Sequence, residues 1–410
     1  MKCNLDGLEP KHNIIEDNVI ISDGYYFTLH GKRQKHSSIK ICKGSYIVMR
    51  SKLNGAASLV NENIPQNSKA VGVPVKISII IPCRNEKKYI SGFLESVIKN
   101  DYPKDDLEIF IVDGKSDDGT LEIVSDFAKD YSFITLLINE ERTVPYALNQ
   151  AVVKCTGEYI IRLDVHSKIP ENYFSKLIQS AIETEADNTG TICITDIKNK
   201  NPKSSAIRKV LSNKFGVGNS YFRIGTDRIM EVDTVPFGCY KKSVFIDFGL
   251  FNVDLKRNQD IELNKRIIKG GGKIILLPQP YSIYYARESF NGIAKNNFAT
   301  GLWNILTIYI TKDFNSVSLR HFIPLLFLLS LFVPLILMVF NDYFGLISLL
   351  SLISYLIVII SVSIKIIDKT TTLYNLIVAF IVLHFSYGFG SLIGLFQLHF
   401  LFKKNEIEYL

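Results

Sequence analysis

Three clusters of polar residues stand directly behind apolar, β-branched runs. Pro82-Cys83-Arg84-Asn85-Glu86 follows residues 76–81, Asp113-Gly114-Lys115-Ser116-Asp117-Asp118-Gly119-Thr120 follows 107–112, and Asp164-Val165-His166 follows 159–163. Any one of them alone reads as a helix cap; three at successive strand ends point to one ligand. Asp164 and His166 are two residues apart, so the alternation of an extended chain sends both side chains to the same side. A carboxylate with an imidazole suits Mn²⁺ well and Mg²⁺ acceptably. A cation held there stabilises the negative charge that grows on a departing diphosphate. The competing reading makes Asp164 a cap for the helix near Pro170. Further on, Gln259-Asp260-Ile261-Glu262-Leu263-Asn264 opens a helix that runs through Ile268. Asp260 is the candidate base for a hydroxyl proton, with a simple helix-dipole role as the alternative. Glu262, two residues later on a helix, points elsewhere.

The elements that must position these groups alternate between residues 76 and 184. Apolar runs at 76–81, 107–112, 133–138 and 159–163 read as strands. Between them, Tyr89, Ile90, Phe93, Leu94, Val97 and Ile98 recur at helical spacing, as do Leu121, Ile123, Val124 and Phe127. A third helix spans 144–154, with Thr143 as its cap and Pro145 in its first turn. This order predicts an α/β fold with a mostly parallel sheet covered on both faces, and ligands beyond the carboxyl ends of its strands. Residues 185–285 are less regular. A helix is expected at 204–215, a glycine-rich loop around Gly216, Gly218 and Gly225, and short strands at 230–235 and 273–277.

The ordered set P-C-R-N-E, V-D-G-K-S-D-D-G-T, A-L-N-Q-A, G-E-Y-I-I-R-L-D-V-H-S and Q-D-I-E-L-N resembles the family 2 inverting glycosyltransferases with the GT-A fold, a Rossmann-like nucleotide-diphospho-sugar transferase fold. Within them it is most similar to the succinoglycan-type membrane glucosyltransferases, over roughly residues 76–310. The resemblance implies that Pro82, Arg84, Asn85, Glu86 and Asp113 hold the donor nucleoside, with Arg142 and Asn149 nearby. It implies that Asp164 and His166 carry the metal and diphosphate, and that Asp260 is the base. The usual D-x-D is D-V-H here, and the acidic pair before the base helix is Gln259-Asp260. The Gln-x-x-Arg-Trp of processive synthases is absent; Arg287, Ser289, Gly301 and Trp303 stand in that region, which implies single-sugar transfer. Phe237-Gly238-Cys239-Tyr240 resembles the acceptor-side wall, so Gly238, Cys239, Arg287 and Trp303 are assigned to the acceptor side.

The chain has 410 residues, a net charge of +7 and 47% apolar residues, unevenly spread. No basic run is interleaved with aromatics, which speaks against nucleic acid. An anionic membrane surface or a phosphate-bearing substrate accounts for the charge. None of the six cysteines is in C-x-x-C spacing, so reduced, buried thiols are expected rather than zinc. The stretches 322–340, 344–364 and 373–402 carry no charge, and a bilayer core takes about 20 apolar residues per helix. Three transmembrane helices are therefore expected within 320–404, after a catalytic domain at 75–310. Met1 to Pro10 is polar, so no signal peptide is expected. Arg320 before the first span, with Lys365 and Lys369 in the second connection, puts the catalytic domain in the cytosol. Lys403 and Lys404 fall on the opposite side from that rule.

Segments 39–45 and 64–74, within an N-terminal part at 1–74, resemble the end of a hexapeptide-repeat acyltransferase. Too few repeats are present to stack, so a β-rich docking or oligomerising element without acyltransferase activity is expected. His12, His30 and His36 read as surface histidines. Together these features predict a multi-pass, metal-dependent hexosyltransferase of surface polysaccharide or glycan synthesis. It moves a sugar from a nucleotide sugar, a UDP sugar first, to a hydroxyl of a lipid-linked polyprenyl saccharide. The alternatives are transfer to a polyprenyl phosphate, which needs no base, and a membrane scaffold without transferase activity.

Overall fold

A computed structural model of the protein describes residues 75–408, with side chains up to 398, and three short strands ahead of them. The chain divides into two compact units, Met1–Val71 and Gly72–Leu410. In the first, β1 (Ile14–Glu16), β2 (Val19–Ser22) and β3 (Tyr25–Thr28) form an antiparallel meander, with Ile15 opposite Ile20 and Ile20 opposite Phe27. The repeat-like segments 39–45 and 64–74, and His12, His30 and His36, lie outside the described residues.

The second unit is built on a mixed sheet. Its strands are β4 (Ile77–Cys83), β5 (Leu107–Asp113), β6 (Ile134–Ile138), β7 (Tyr159–Arg162), β8 (Ser167–Lys168), β9 (Asn188–Asp196), β10 (Met230–Glu231), β11 (Cys239–Lys241) and β12 (Ile274–Tyr285). The order is β10-β12-β9-β11-β7-β4-β5-β6, with β8 added on β12. The four strands expected from the apolar runs pair in parallel, Ile79 of β4 lying opposite Ile109 of β5 and Ile161 of β7. Strand β11 then runs antiparallel between β7 and β9. Strand β4 is buried along almost its whole length because helices cover both its faces.

Those helices are α1 (Ile90–Ile98), α2 (Thr120–Asp130), α3 (Val144–Lys154) and α4 (Tyr173–Thr184). One face of the sheet packs Ile79, Ile81 and Ile161 against Phe93, Leu94, Phe174 and Leu177; the other packs Ile80, Phe110 and Ile160 against Leu148, Ala151 and Leu263. Thr143 takes the N-cap position of α3, but its hydroxyl makes no capping bond and has no partner. The four cysteines among the described residues are buried and unpaired. The helix expected at 204–215 is α5 (Pro202–Leu211), closed at its start by a reciprocal Asn201–Ser204 capping box. The short helices α6 (Lys214–Val217) and α7 (Tyr221–Ile224) follow; α8 (Ser243–Asp247) and α9 (Gln259–Lys269) come after β11.

After β12 the chain forms α10 (Phe290–Thr311), α11 (Ile323–Leu337), α12 (Tyr343–Ile366) and α13 (Leu373–Glu408). Three helical stretches, Leu319–Leu337, Tyr343–Ile366 and Leu373–Leu398, are long and apolar enough to cross a membrane. They leave large apolar side chains outside, Ile336 at 68% and Leu350 at 63% exposure, as a lipid-facing surface would. Small residues let α10 lie directly on α13. A Cβ on Gly301 would stand 2.0 Å from the Tyr387 carbonyl oxygen, and one on Gly390 would stand 2.0 Å from that of Phe298. Ala206, Ile207 and Val210 of α5 pack with Ile359, Leu376 and Phe380, so the sheet-bearing part rests on the long apolar helices.

Candidate active site

The turns after β4 and β5 are stitched to each other. The Asn85 amide donates to the Asp117 carboxylate at 2.9 Å, and the Asp117 backbone N–H donates back to Asn85 Oδ1 at 3.0 Å. Asn85 N–H donates to Ser116 Oγ (2.9 Å), Glu86 N–H to Thr120 Oγ1 (2.7 Å) and Lys87 N–H to Asp118 (3.1 Å). Gly114 lets the Arg84 side chain lie against the second turn, since a Cβ there would meet Arg84 Cβ at 3.3 Å. Pro82 sits within β4, paired with Val112. Asp113 is fully buried and accepts from the Ser116 N–H (2.8 Å) and hydroxyl (2.5 Å). Burial, then the neighbouring Asp113 carboxylate, push the Cys83 thiol far up, so it stays protonated.

Non-glycine residues with positive φ gather around this edge: Asn85, Lys115 and Arg142 in the turns after β4, β5 and β6, Phe237 before β11, and Asn258 at the cap of α9. Such conformations cost free energy and persist where the surroundings impose them, commonly at functional sites.

The D-V-H segment lies just past β7, in a turn where Ser167 N–H bonds to the Asp164 carbonyl. Strand pairing has ended, yet burial still alternates: Leu163, Val165 and Ser167 are buried, while Arg162, Asp164 and His166 are partly open. The two expected metal ligands nevertheless have separate partners. His166 Nε2 stands 3.0 Å from Glu86 Oε1, and its ring meets Tyr89 edge-on. Asp164 is gripped through both oxygens by Arg162, at 2.9 and 3.1 Å.

Arg162 is the residue that sequence reasoning passed over. Its other terminal nitrogen donates to Asp260 Oδ2 at 3.1 Å, and its side chain is only 11% exposed. One guanidinium therefore joins the D-V-H carboxylate to the candidate base. Its place within the quoted G-E-Y-I-I-R-L-D-V-H-S run, two residues before Asp164, was the available signal. Asp260 starts α9 on a cap, Asn258, whose amide reaches Asn304 and Thr307 of α10 at 2.8 and 3.3 Å. A buried chain of amides, Asn188 to Asn264 to Thr234, locks α9 against β9. Glu262 does point elsewhere, into an ion pair with Arg266 at 2.7 Å.

Other candidates are placed less centrally. Asn149 uses both ends of its amide on the Phe251 backbone, at 2.8 and 3.0 Å, and so clamps the loop before α9. Arg142 is exposed beyond β6. Gly238 is a close-approach position in the β7–β11 pairing, its carbonyl accepting from Arg162 N–H at 3.0 Å. Cys239, expected on the acceptor side, is fully buried and packs in the core beneath that wall. Phe237 is the member of that segment that lines the cleft. Trp303 lies on α10 outside both cavity linings described next, whereas Arg287 is within one.

Arg162, Asp164 and Asp260 line a cleft of 380 Å³ together with Phe237, Arg257 and Asn258. The cleft shares Ser220, Phe222, Arg223, Ile261 and Tyr284 with a second cavity of 700 Å³, whose far wall is Phe327, Tyr355, Val358 and Leu383 of α11 to α13. Among the described residues no three His, Cys, Asp or Glu side chains converge as a closed metal cage. A cation that shares a substrate diphosphate needs only one or two protein ligands. A carboxylate and an imidazole are donor types that suit such an ion; here the Asp164 carboxylate is bonded to Arg162 and the His166 imidazole stands against Glu86.

Likeness to known proteins gives the class: a glycosyltransferase acting on nucleotide sugars in glycan biosynthesis. Residues 78–246 match the model of Glycosyl transferase family 2. The chain is 32% identical over 230 residues to the dolichyl N-acetyl-alpha-D-glucosaminyl phosphate 3-beta-D-2,3-diacetamido-2,3-dideoxy-beta-D-glucuronosyltransferase of Methanococcus voltae, covering 55% of this chain and 71% of that one. It is 28% identical over 211 residues to the succinoglycan biosynthesis protein ExoA of Rhizobium meliloti, covering 51% of this chain and 63% of that one. A mannosyltransferase structure from Pyrobaculum calidifontis, in complex with GDP-Man and Mn²⁺, superposes with a TM-score of 0.49 at 16% identity, covering 77% of this chain and 87% of that one. This chain belongs to glycosyl transferase family 2.

Proposed function

We propose that the protein transfers one sugar, with inversion, from a UDP sugar to a hydroxyl of a lipid-linked saccharide. One observation carries the reading: the cleft holding Asp260 opens into a cavity walled by helices able to cross a membrane. An acceptor with a hydrophilic reacting end and a hydrocarbon tail fits that continuity. The Methanococcus relative, whose name places its acceptor on a dolichyl phosphate, supports it.

In this reading Asp260 takes the proton of the attacking hydroxyl. Its Oδ1 is held by the Ile261 N–H at 2.9 Å and its Oδ2 by Arg162, so the carboxylate is oriented before the acceptor arrives. Pro82, Arg84, Asn85, Glu86 and Asp113 form the nucleoside side, with Arg142 and Asn149 behind them. Asp164 and His166 would hold Mn²⁺ or Mg²⁺, which would supply positive charge to the departing diphosphate. The catalytic domain, 75–310, faces the cytosol, because Arg320, Lys365 and Lys369 then lie on the cytosolic side of the spans.

The test is turnover of the purified protein in lipid nanodiscs with UDP sugars, Mn²⁺ and a polyprenyl-linked saccharide, with mass analysis of the lipid product. A lipid product longer by one sugar is expected. Undiminished transfer by Asp260→Asn would overturn the assignment of the base, and transfer only to soluble acceptors would overturn the lipid-linked acceptor.

A further inference from the structure

The neck between the catalytic cleft and the apolar cavity is lined by arginines without counter-ions. Arg257 lines the cleft, Arg223 lines both spaces, and Arg287 lines the apolar cavity alone. None of the three makes an ion pair with a carboxylate among the described residues. Arg257 is held by neutral groups, Asn296 Oδ1 at 3.3 Å and Thr300 Oγ1 at 3.4 Å. Arg223 touches Thr195 Oγ1 at 3.4 Å and lies over the Phe222 and Tyr284 rings, 5.4 and 5.6 Å from their centroids. The contrast is Arg320, in the wall of both spaces, which is paired with Asp233 at 2.6 Å. Burial and the Arg287 charge push Arg257 below its ordinary value. Arg223 and Arg257 are partly buried and Arg287 is exposed at the rim; like charges so gathered without an anion repel one another, and a bound phosphate relieves that through charge-assisted hydrogen bonds.

We propose that Arg223, Arg257 and Arg287 seat the phosphate of a polyisoprenyl-phosphate-linked acceptor, whose hydrocarbon chain enters the cavity between the membrane helices. The proposal rests on the lipid-linked acceptor reading above. The order of the lining matches the order of such a molecule. Asp260 meets the sugar hydroxyl, the arginines meet the phosphate, and Ile323, Phe327, Val358 and Leu383 meet the hydrocarbon. The donor diphosphate is a weaker match for these cations. It belongs with the turns after β4 and β5 and with Asp164, whereas Arg287 lines only the membrane-side space.

The experiment measures equilibrium binding of a polyisoprenyl phosphate, the matching polyisoprenol and UDP to the full chain in detergent. The wild type is expected to prefer the phosphate over the alcohol. Arg257→Ala with Arg287→Ala should weaken phosphate binding by about tenfold or more, with UDP affinity within about twofold. Arg257→Lys with Arg287→Lys should recover part of the loss, since charge without the planar fork is retained. Thermal melting shows whether each variant is folded. Parallel loss of UDP affinity would assign the arginines to the donor, and unchanged lipid affinity in the Ala variant would remove the seat; either overturns the proposal. A wild type that transfers to a lipid-linked saccharide while the Ala variant binds the lipid normally refutes this seat alone. A wild type indifferent to the phosphate that glycosylates only soluble acceptors refutes the underlying function as well.

Discussion

The two walls of the proposed active site, donor and acceptor, are finished to different degrees. On the donor side, Asn85 and Asp117 exchange two hydrogen bonds, Ser116 fills Asp113, and His166 stands against Glu86. Each of these side chains has a protein partner. On the proposed acceptor side, Arg223, Arg257 and Arg287 carry charge into a neck and make no ion pair with a carboxylate among the described residues. Arg162 spans the divide, one nitrogen on the D-V-H carboxylate and the other on the base. A wall whose hydrogen bonds close within the protein is shaped in advance for a ligand of constant structure. A wall with open charge depends on what binds for its electrostatic balance.

Four measurements break or sharpen that contrast. The largest effect is expected at Asp260→Asn, which should lower the transfer rate by about 10² to 10⁴ while leaving UDP affinity intact, as seen by turnover and calorimetry. Loss of UDP binding in this variant would merge the two walls into one. Arg162→Lys should follow, lowering kcat by about tenfold or more, because an ammonium cannot bond two separate carboxylates as a fork does. Comparison with wild-type melting separates that loss from misfolding. Next, Gly390→Leu should destabilise the membrane module by about 1–3 kcal/mol, since its side chain would collide with the Phe298 backbone; thermal unfolding in detergent reads this.

The smallest effect concerns pH. Burial raises the Asp233 carboxyl, but the Ser318 hydroxyl and the Arg320 guanidinium outweigh it and hold it below the ordinary aspartate value. A depressed folded-state value stabilises the protein above the unfolded-state value, near about pH 4, and the contribution fades as pH falls through the lower folded-state value. Wild type should thus lose melting temperature on acidification below about pH 4 more steeply than Asp233→Asn. Equal slopes would show that this pair does not couple the domain to the start of the first span.

The donor wall was legible in the chain because its parts are local. Each turn follows a strand of apolar, β-branched residues, and the partners Asn85, Ser116, Asp117 and Thr120 all lie within two short motifs. The acceptor wall was not. Strand β9 hid behind Asn188, Thr189 and Thr191, polar residues that the fold buries, with the Asn188 amide donating to Asn264 of α9. Cys239 looked like part of a wall from its neighbours, yet its position in a three-residue strand turns it into the core. Asn149 stood in a motif and proved to clamp the Phe251 backbone.

By itself the sequence determined the alternation of strands and helices, the three polar strand ends, the base helix and the apolar spans. These follow from periodicity and from residue chemistry within a few positions. Only the tertiary structure decided that Arg162 links Asp164 to Asp260, 98 residues apart for the second contact. It alone decided that α10 lies on α13 through Gly301 and Gly390, and that the cleft of Asp260 continues into a cavity between the membrane helices. The physical reason is the same in each case: the guanidinium's second partner, the helix contact and the shared cavity wall join residues whose separation along the chain no local pattern encodes.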